Sequence, residues 1–148
     1  MSKALKIVVT TDFSDASLAA VDWTKKFGDG SQTEVHCVNA VEQPMVYMPV
    51  MAGTAVATMP TIDELGQISQ DSLNSFTKKH MSDFDGQLVT KALIGRPAEQ
   101  ITDYAKEIGA DMIVIATRGH SKLAHALLGS TAEGVVRQAE CPVVTVRG

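Results

Sequence analysis

The sequence predicts an α/β fold: a five-stranded, mostly parallel sheet with four helices, wound as an open, doubly wound sandwich with both faces covered. Three observations carry this. Short apolar runs alternate with amphipathic stretches along most of the chain. Helix-start and helix-stop residues punctuate the boundaries between them. The apolar runs are also nearly continuous, as strands buried on both faces require. Such alternation joins parallel neighbours by right-handed crossovers.

Lys6 to Thr10 is a β-branched run that gives way to Thr11-Asp12-Phe13-Ser14, a strand ending in a polar turn. Ala16, Ala19, Ala20, Trp23 and Phe27 then recur at helical spacing, with Ser14 as N-cap and Gly28 as the stop. Glu34 to Val41 is the second strand. Ile62 to Met81 is the second helix, opened by Thr61 with Glu64 in capping-box spacing. Leu88 to Leu93 is the third strand.

Gly95-Arg96-Pro97 places Pro at the first position of the third helix, whose apolar stripe is Ile101, Tyr104, Ala105 and Ile108, ending at Gly109. Met112 to Ala116 is the fourth strand. Ser130 and Glu133 have capping-box spacing before Ala132, Val135, Val136 and Ala139, the stripe of a fourth helix stopped by Pro142. Val143 to Val146 closes the sheet. Between the second strand and second helix, residues 43–60 are rich in Met, Pro and small residues and follow neither period, so they are expected to form an irregular, fast-exchanging excursion.

A chain of 148 residues suits a single domain spanning 1–148. The net charge of -4 and the lack of a Lys/Arg run speak against nucleic acid or anionic lipid as partner, leaving room for a small phosphate-bearing ligand. The apolar stretches are too short to span a bilayer, and Met1 to Lys6 has no signal-peptide core. Cys37 and Cys141 lie in separate apolar segments without metal or redox spacing, which points to reduced thiols and the cytoplasm.

In open parallel sheets, ligands sit beyond the carboxyl ends of the strands where strand order reverses. Two loops are equipped for this. Thr10-Thr11-Asp12-Phe13-Ser14 offers a carboxylate for ribose hydroxyls or adenine. Ala116-Thr117-Arg118-Gly119, nine residues, then Gly129-Ser130-Thr131 offers glycines that admit an anion close to backbone N–H groups, and a helix N-terminus behind them. There is no GxxxxGK[ST] loop and no GxGxxG fingerprint.

The run Ile115 to Gly119, then Gly129-Ser130, then Cys141-Pro142-Val143-Val144 resembles the signature half of the universal stress protein family. Val8 to Ser14, Gly95-Arg96-Pro97 and Gly109 to Val114 extend the resemblance over nearly the whole chain. It implies the sandwich shared with adenine nucleotide alpha-hydrolases, and a stress-response protein that senses or regulates rather than catalyses. It also implies ATP or AMP as ligand, with or without magnesium, and the absence of an evident water-activating base points to slow or no hydrolysis. By position, Thr10, Thr11, Asp12 and Ala40 would lie around adenine and ribose, with Ala116, Arg118, Gly119, Gly129, Ser130 and Thr131 around the phosphates. The family's ATP-binding motif has glycine where this chain has Ala116, whose Cβ could crowd the ligand. The last strand pairs across the family's dimer, which implies a homodimer through Val143, Val144, Thr145 and Val146.

Plainer readings stand beside these. Asp12 could serve an Asx turn alone, the glycines could be turn residues, and Ser130 with Glu133 is explained by helix capping. Arg118 and Lys122 suit solvated charges. His120 and His125 are badly spaced for a metal, and Met45, Met48 and Met51 fit an apolar flap better than a Cu(I) site. Asp12, Ser14 and His120 lack the elbow motif of a hydrolase triad. A same-fold interaction protein with a closed pocket is the alternative, and a true ATPase ranks behind both.

Overall fold

The computed structural model describes residues 3–28, 32–42, 60–117 and 128–148. The excursion expected over 43–60 therefore lies outside the described residues except for Pro60. Five strands and four helices alternate in this order: β1 (Leu5–Thr10), α1 (Asp15–Phe27), β2 (Thr33–Val41), α2 (Ile62–His80), β3 (Gln87–Ile94), α3 (Pro97–Ile108), β4 (Met112–Ala116), α4 (Ser130–Gln138) and β5 (Val143–Val146). Every pairing is parallel, in the order β3-β2-β1-β4-β5. The order reverses between β1 and β4, and in such sheets a crevice opens at the carboxyl ends of the two strands where it does.

Side-chain alternation along the central strands builds a core on each face. Ile7, Val9, Val35, Cys37 and Val114 pack beneath α1 and α2, together with Ala20, Val21, Leu73 and Phe76. Val8, Val38, Ile113 and Ile115 pack beneath α3 and α4, together with Ile101, Ala105, Ala132 and Val135. Apolar residues on both faces explain why the strands read as continuous runs.

The helix starts follow the sequence with one exception. The Ser14 side chain caps α1 by accepting from Ser17 N, and Thr61 Oγ1 accepts from Glu64 N at 3.1 Å. Pro97 stands at the start of α3, and Gly109 ends that helix at φ 68°, where a side chain would be strained. The expected Ser130–Glu133 capping box does not form. Gly129 is the cap residue of α4, without a side-chain cap bond, and Glu133 instead pairs with Arg137 at 2.8 Å. The helix starts one residue early because the Gly129 N–H closes on the Thr117 carbonyl, which fixes Gly129 in an extended conformation before the first turn. Its C-cap is Ala139, so α4 ends before Pro142 can act.

The expected helix stripes are narrower in the fold. Trp23 and Phe27 on α1 are 44% and 40% exposed, and Val136 on α4 is 46% exposed. α1 buries Ser17, Ala20, Val21 and Thr24, a face shifted by one residue from the large aromatics. Thr24 fits there because its Oγ1 donates to the Ala20 carbonyl at 2.7 Å, which satisfies the hydroxyl within the helix.

Candidate functional site

At the carboxyl ends of β1 and β4 lies a cleft of about 300 Å³. One wall is Thr10, Thr11 and Asp12, continuing to Asn39 and Ala40 at the end of β2. The other is Ala116 and Thr117, with Gly129, Ser130, Thr131 and Ala132 at the start of α4. Eight of the ten residues proposed from sequence line this cleft. Arg118 and Gly119 lie outside the described residues.

The β1 loop is shaped by its own side chains. Thr11 Oγ1 accepts from Phe13 N at 2.9 Å, and Asp12 Oδ1 accepts from Ser14 N at 3.0 Å and from the Ser14 hydroxyl. The Asx turn offered as the plain reading of Asp12 is thus present, on a residue that also borders the cleft. Between them Phe13 adopts φ 67°, the one described non-glycine residue with positive φ, and its ring meets Phe76 edge-on at 5.7 Å.

Beneath this loop runs a buried polar chain that sequence reading missed. Thr11 Oγ1 and Ser17 Oγ share a 2.7 Å hydrogen bond, and Ser17 Oγ lies 2.7 Å from the Ser14 carbonyl, so either bond can use the Ser17 proton. Asn39 Nδ2 donates to the Thr11 carbonyl at 2.8 Å, and Ser69 Oγ donates to Asn39 Oδ1 at 2.7 Å. Asn39 therefore ties the β1 loop to α2. One signal was available beforehand: Asn39 stands in the apolar stretch Cys37 to Val41, and a buried amide needs partners.

On the opposite wall the geometry departs from the expected glycine cradle. Gly129 has φ -69°, which any residue adopts, and its N–H donates to Thr117 O. A Cβ there would stand 3.1 Å from that carbonyl. The glycine permits a close neck between residues 117 and 129, and its amide is not held out for an anion. The first-turn amides of Ser130, Thr131 and Ala132 have no carbonyl within the helix to bond, and the helix dipole places partial positive charge on them. Ala116 ends β4 paired with Val146, so its Cβ carries no backbone penalty.

Asp12 is the one titratable residue among the described residues lining the cleft. Asp12 itself is exposed, and the buried or half-buried ionisable groups lie elsewhere. Burial pushes the Cys37 thiol up to about 12, and burial also raises Cys141. His36 bridges Tyr104 Oη and Glu34 Oε1, each at 2.6 Å, on the α3 face of β2. Burial, helped by the negative charges of Glu107 and Glu34, raises Tyr104. Among the described residues no group of three His, Cys, Asp or Glu is placed to hold a metal, and no helix is long and apolar enough to cross a membrane.

The model of the universal stress protein family matches residues 4–147. The chain belongs to the universal stress protein family. It is 35% identical over 144 residues to universal stress protein MJ0531 of Methanocaldococcus jannaschii, covering 96% of this chain and 81% of that protein. The fold is shared with universal stress protein UspA from Lactobacillus plantarum, at TM-score 0.75 and 24% identity over 99% of this chain and 100% of that one. It is also shared with a universal stress protein in complex with cAMP, at TM-score 0.70 and 22% identity over 99% of each chain. A third such structure, the universal stress protein from Archaeoglobus fulgidus in complex with dAMP, has TM-score 0.68 and 20% identity over 99% of this chain and 100% of that one. Within this family frame the cleft occupies the switch point of the sheet.

Proposed function

We propose that this universal stress protein binds an adenine nucleotide in the β1–β4 cleft and uses it to regulate its interactions rather than to drive a reaction. The observation that carries this is the convergence at the switch point: a carboxylate-bearing loop faces the open amides of a helix N-terminus across a cleft of ligand size. Asp12 and Ala40 would meet the nucleoside, and the Ser130, Thr131 and Ala132 amides the phosphate. The cAMP and dAMP complexes of fold relatives support adenine as the base.

Slow or absent hydrolysis follows from the lining. Asp12 already accepts two hydrogen bonds from Ser14, and no described neighbour supplies a second acid or base. Magnesium would enter with a polyphosphate. The free, buried Cys37 suits a reducing cytoplasm. A homodimer through β5 completes the reading, supported by a short β-branched strand at the open end of the sheet.

Calorimetric titration of nucleotide-stripped protein with AMP, cAMP and ATP, with and without magnesium, tests the proposal. Binding that weakens at least tenfold in Asp12→Ala, with an unchanged melting profile, is the expected result. Absence of binding to wild type at millimolar nucleotide would favour the closed-pocket interaction protein, with the Ala116 Cβ as the group to remove first.

A further inference from the structure

We propose that Gln70 and Asn74 close the β3 edge of the sheet, so that a second copy of this chain can add a strand only at β5. The β5 half of this statement rests on the dimer reading above. The β3 half stands on observed bonds.

The sheet ends in β3 on one side and β5 on the other. β3 has eight residues and β5 four, and Leu88 and Val89 on β3 are 36% and 38% exposed. A long edge strand with exposed apolar residues is a template for another chain unless something blocks it. The Gly95 N–H bonds the Val41 carbonyl of β2, so the alternate residues Leu88, Thr90, Ala92 and Ile94 direct their backbone groups outward.

Gln70 from α2 occupies that outward side. Its Oε1 accepts from Ala92 N at 3.1 Å, while its Nε2 donates to Thr90 Oγ1 at 2.6 Å and reaches the Thr90 carbonyl at 3.5 Å. The carboxamide thus presents one acceptor and one donor to successive outward groups of β3, as the peptide of an adjacent strand would. Asn74, one turn later, fixes it: Asn74 Oδ1 accepts from Thr90 Oγ1 at 2.8 Å and from Gln70 Nε2 at 3.3 Å. An incoming strand would have to displace both side chains. At β5 the Val146 and Pro142 carbonyls bond Thr117 N and Ile113 N, so Val143 and Thr145 face outward, and among the described residues no side chain bonds their amides.

Two measurements on the whole chain test this, each on Gln70→Ala and on Gln70→Ala/Asn74→Ala. Amide exchange by NMR is expected to show Ala92 exchanging about tenfold faster in the variants, the size of one lost hydrogen bond, with Val38 and Ile113 unchanged. Light scattering over a concentration series is expected to show the double variant exceeding the wild-type mass, and growing with concentration as both edges pair. Gln70→Glu, which keeps the acceptor for Ala92, is expected to keep slow exchange and wild-type mass. Variants with a wild-type melting profile that keep wild-type mass at every concentration would overturn the proposal, as would unchanged Ala92 exchange at a dilution where the variant still has wild-type mass. A monomeric wild type would refute the β5 dimer, and the double variant's mass would still decide whether β3 is guarded.

Discussion

Gly129 illustrates how a residue can be conspicuous in sequence for one reason and needed in the fold for another. Its role is to let the Thr117 carbonyl approach, so Gly129→Ala should push that carbonyl back by a few tenths of an ångström. We expect a loss of about 1 kcal/mol in denaturant unfolding, together with weaker nucleotide binding, because the neck positions the first turn of α4. Phe13 makes the opposite point: a bulky side chain sits at φ 67° because its ring rests on Phe76 and its N–H on Thr11. Stability should fall in the order Phe13→Gly, Phe13→Ala, Phe13→Val, with Val costing roughly 1–3 kcal/mol from β-branching in a left-handed conformation. Cys37 adds a pH signature. Its thiol is held neutral up to about 12 in the fold, against 9.0 as its ordinary value, so the unfolded chain releases this proton first. Its contribution is full below pH 9 and is lost toward pH 12, at a slope of about 1.4 kcal/mol per pH unit. The stability difference between wild type and Cys37→Ala should therefore shrink above pH 9 in urea melts.

At the scale of elements, strands and helices were mostly legible, because Lys6–Thr10, Met112–Ala116 and Val143–Val146 are short, mostly apolar runs bounded by turn signals, as strands are. Orientation within an element was harder to read. Trp23 and Phe27 share a stripe with Ala20, yet of the three only Ala20 is buried. α1 packs through Ser17, Ala20, Val21 and Thr24, the Ser17 and Thr24 hydroxyls bonding backbone carbonyls one turn back. β5 shows the same dependence on packing. Val144 is partly buried against the α1-side core, so a charge there would destabilise the fold as well as disturb pairing. Thr145 is exposed, and its N–H points away from β4. Thr145→Pro removes that outward donor while leaving the β4 ladder in place. The expected outcome is a dimer dissociation constant at least tenfold higher by analytical ultracentrifugation, with the far-UV spectrum unchanged.

For the whole molecule, a ligand that binds only the folded state raises stability by about 2.7 kcal/mol at a hundredfold excess over Kd. In a domain of this size that corresponds to roughly 5–10 °C in Tm, and a melting series with AMP or cAMP should show it, reduced in Asp12→Ala. β-branched runs, caps and turn residues act locally, so the sequence already carried the alternation of strands and helices and much of the cleft's lining. It placed Thr10 to Asp12 and Ala116 at strand ends and Gly129 to Thr131 at a helix start, which is where a parallel sheet leaves space. That Asn39 ties the β1 loop to α2, that Gly129 bonds Thr117 with its N–H and that Gln70 reaches the β3 edge emerged with the packed fold. Each of these is a hydrogen bond between groups from 12 to 30 residues apart. Composition and period constrain such bonds only weakly, because their partners are chosen by the packing of whole elements.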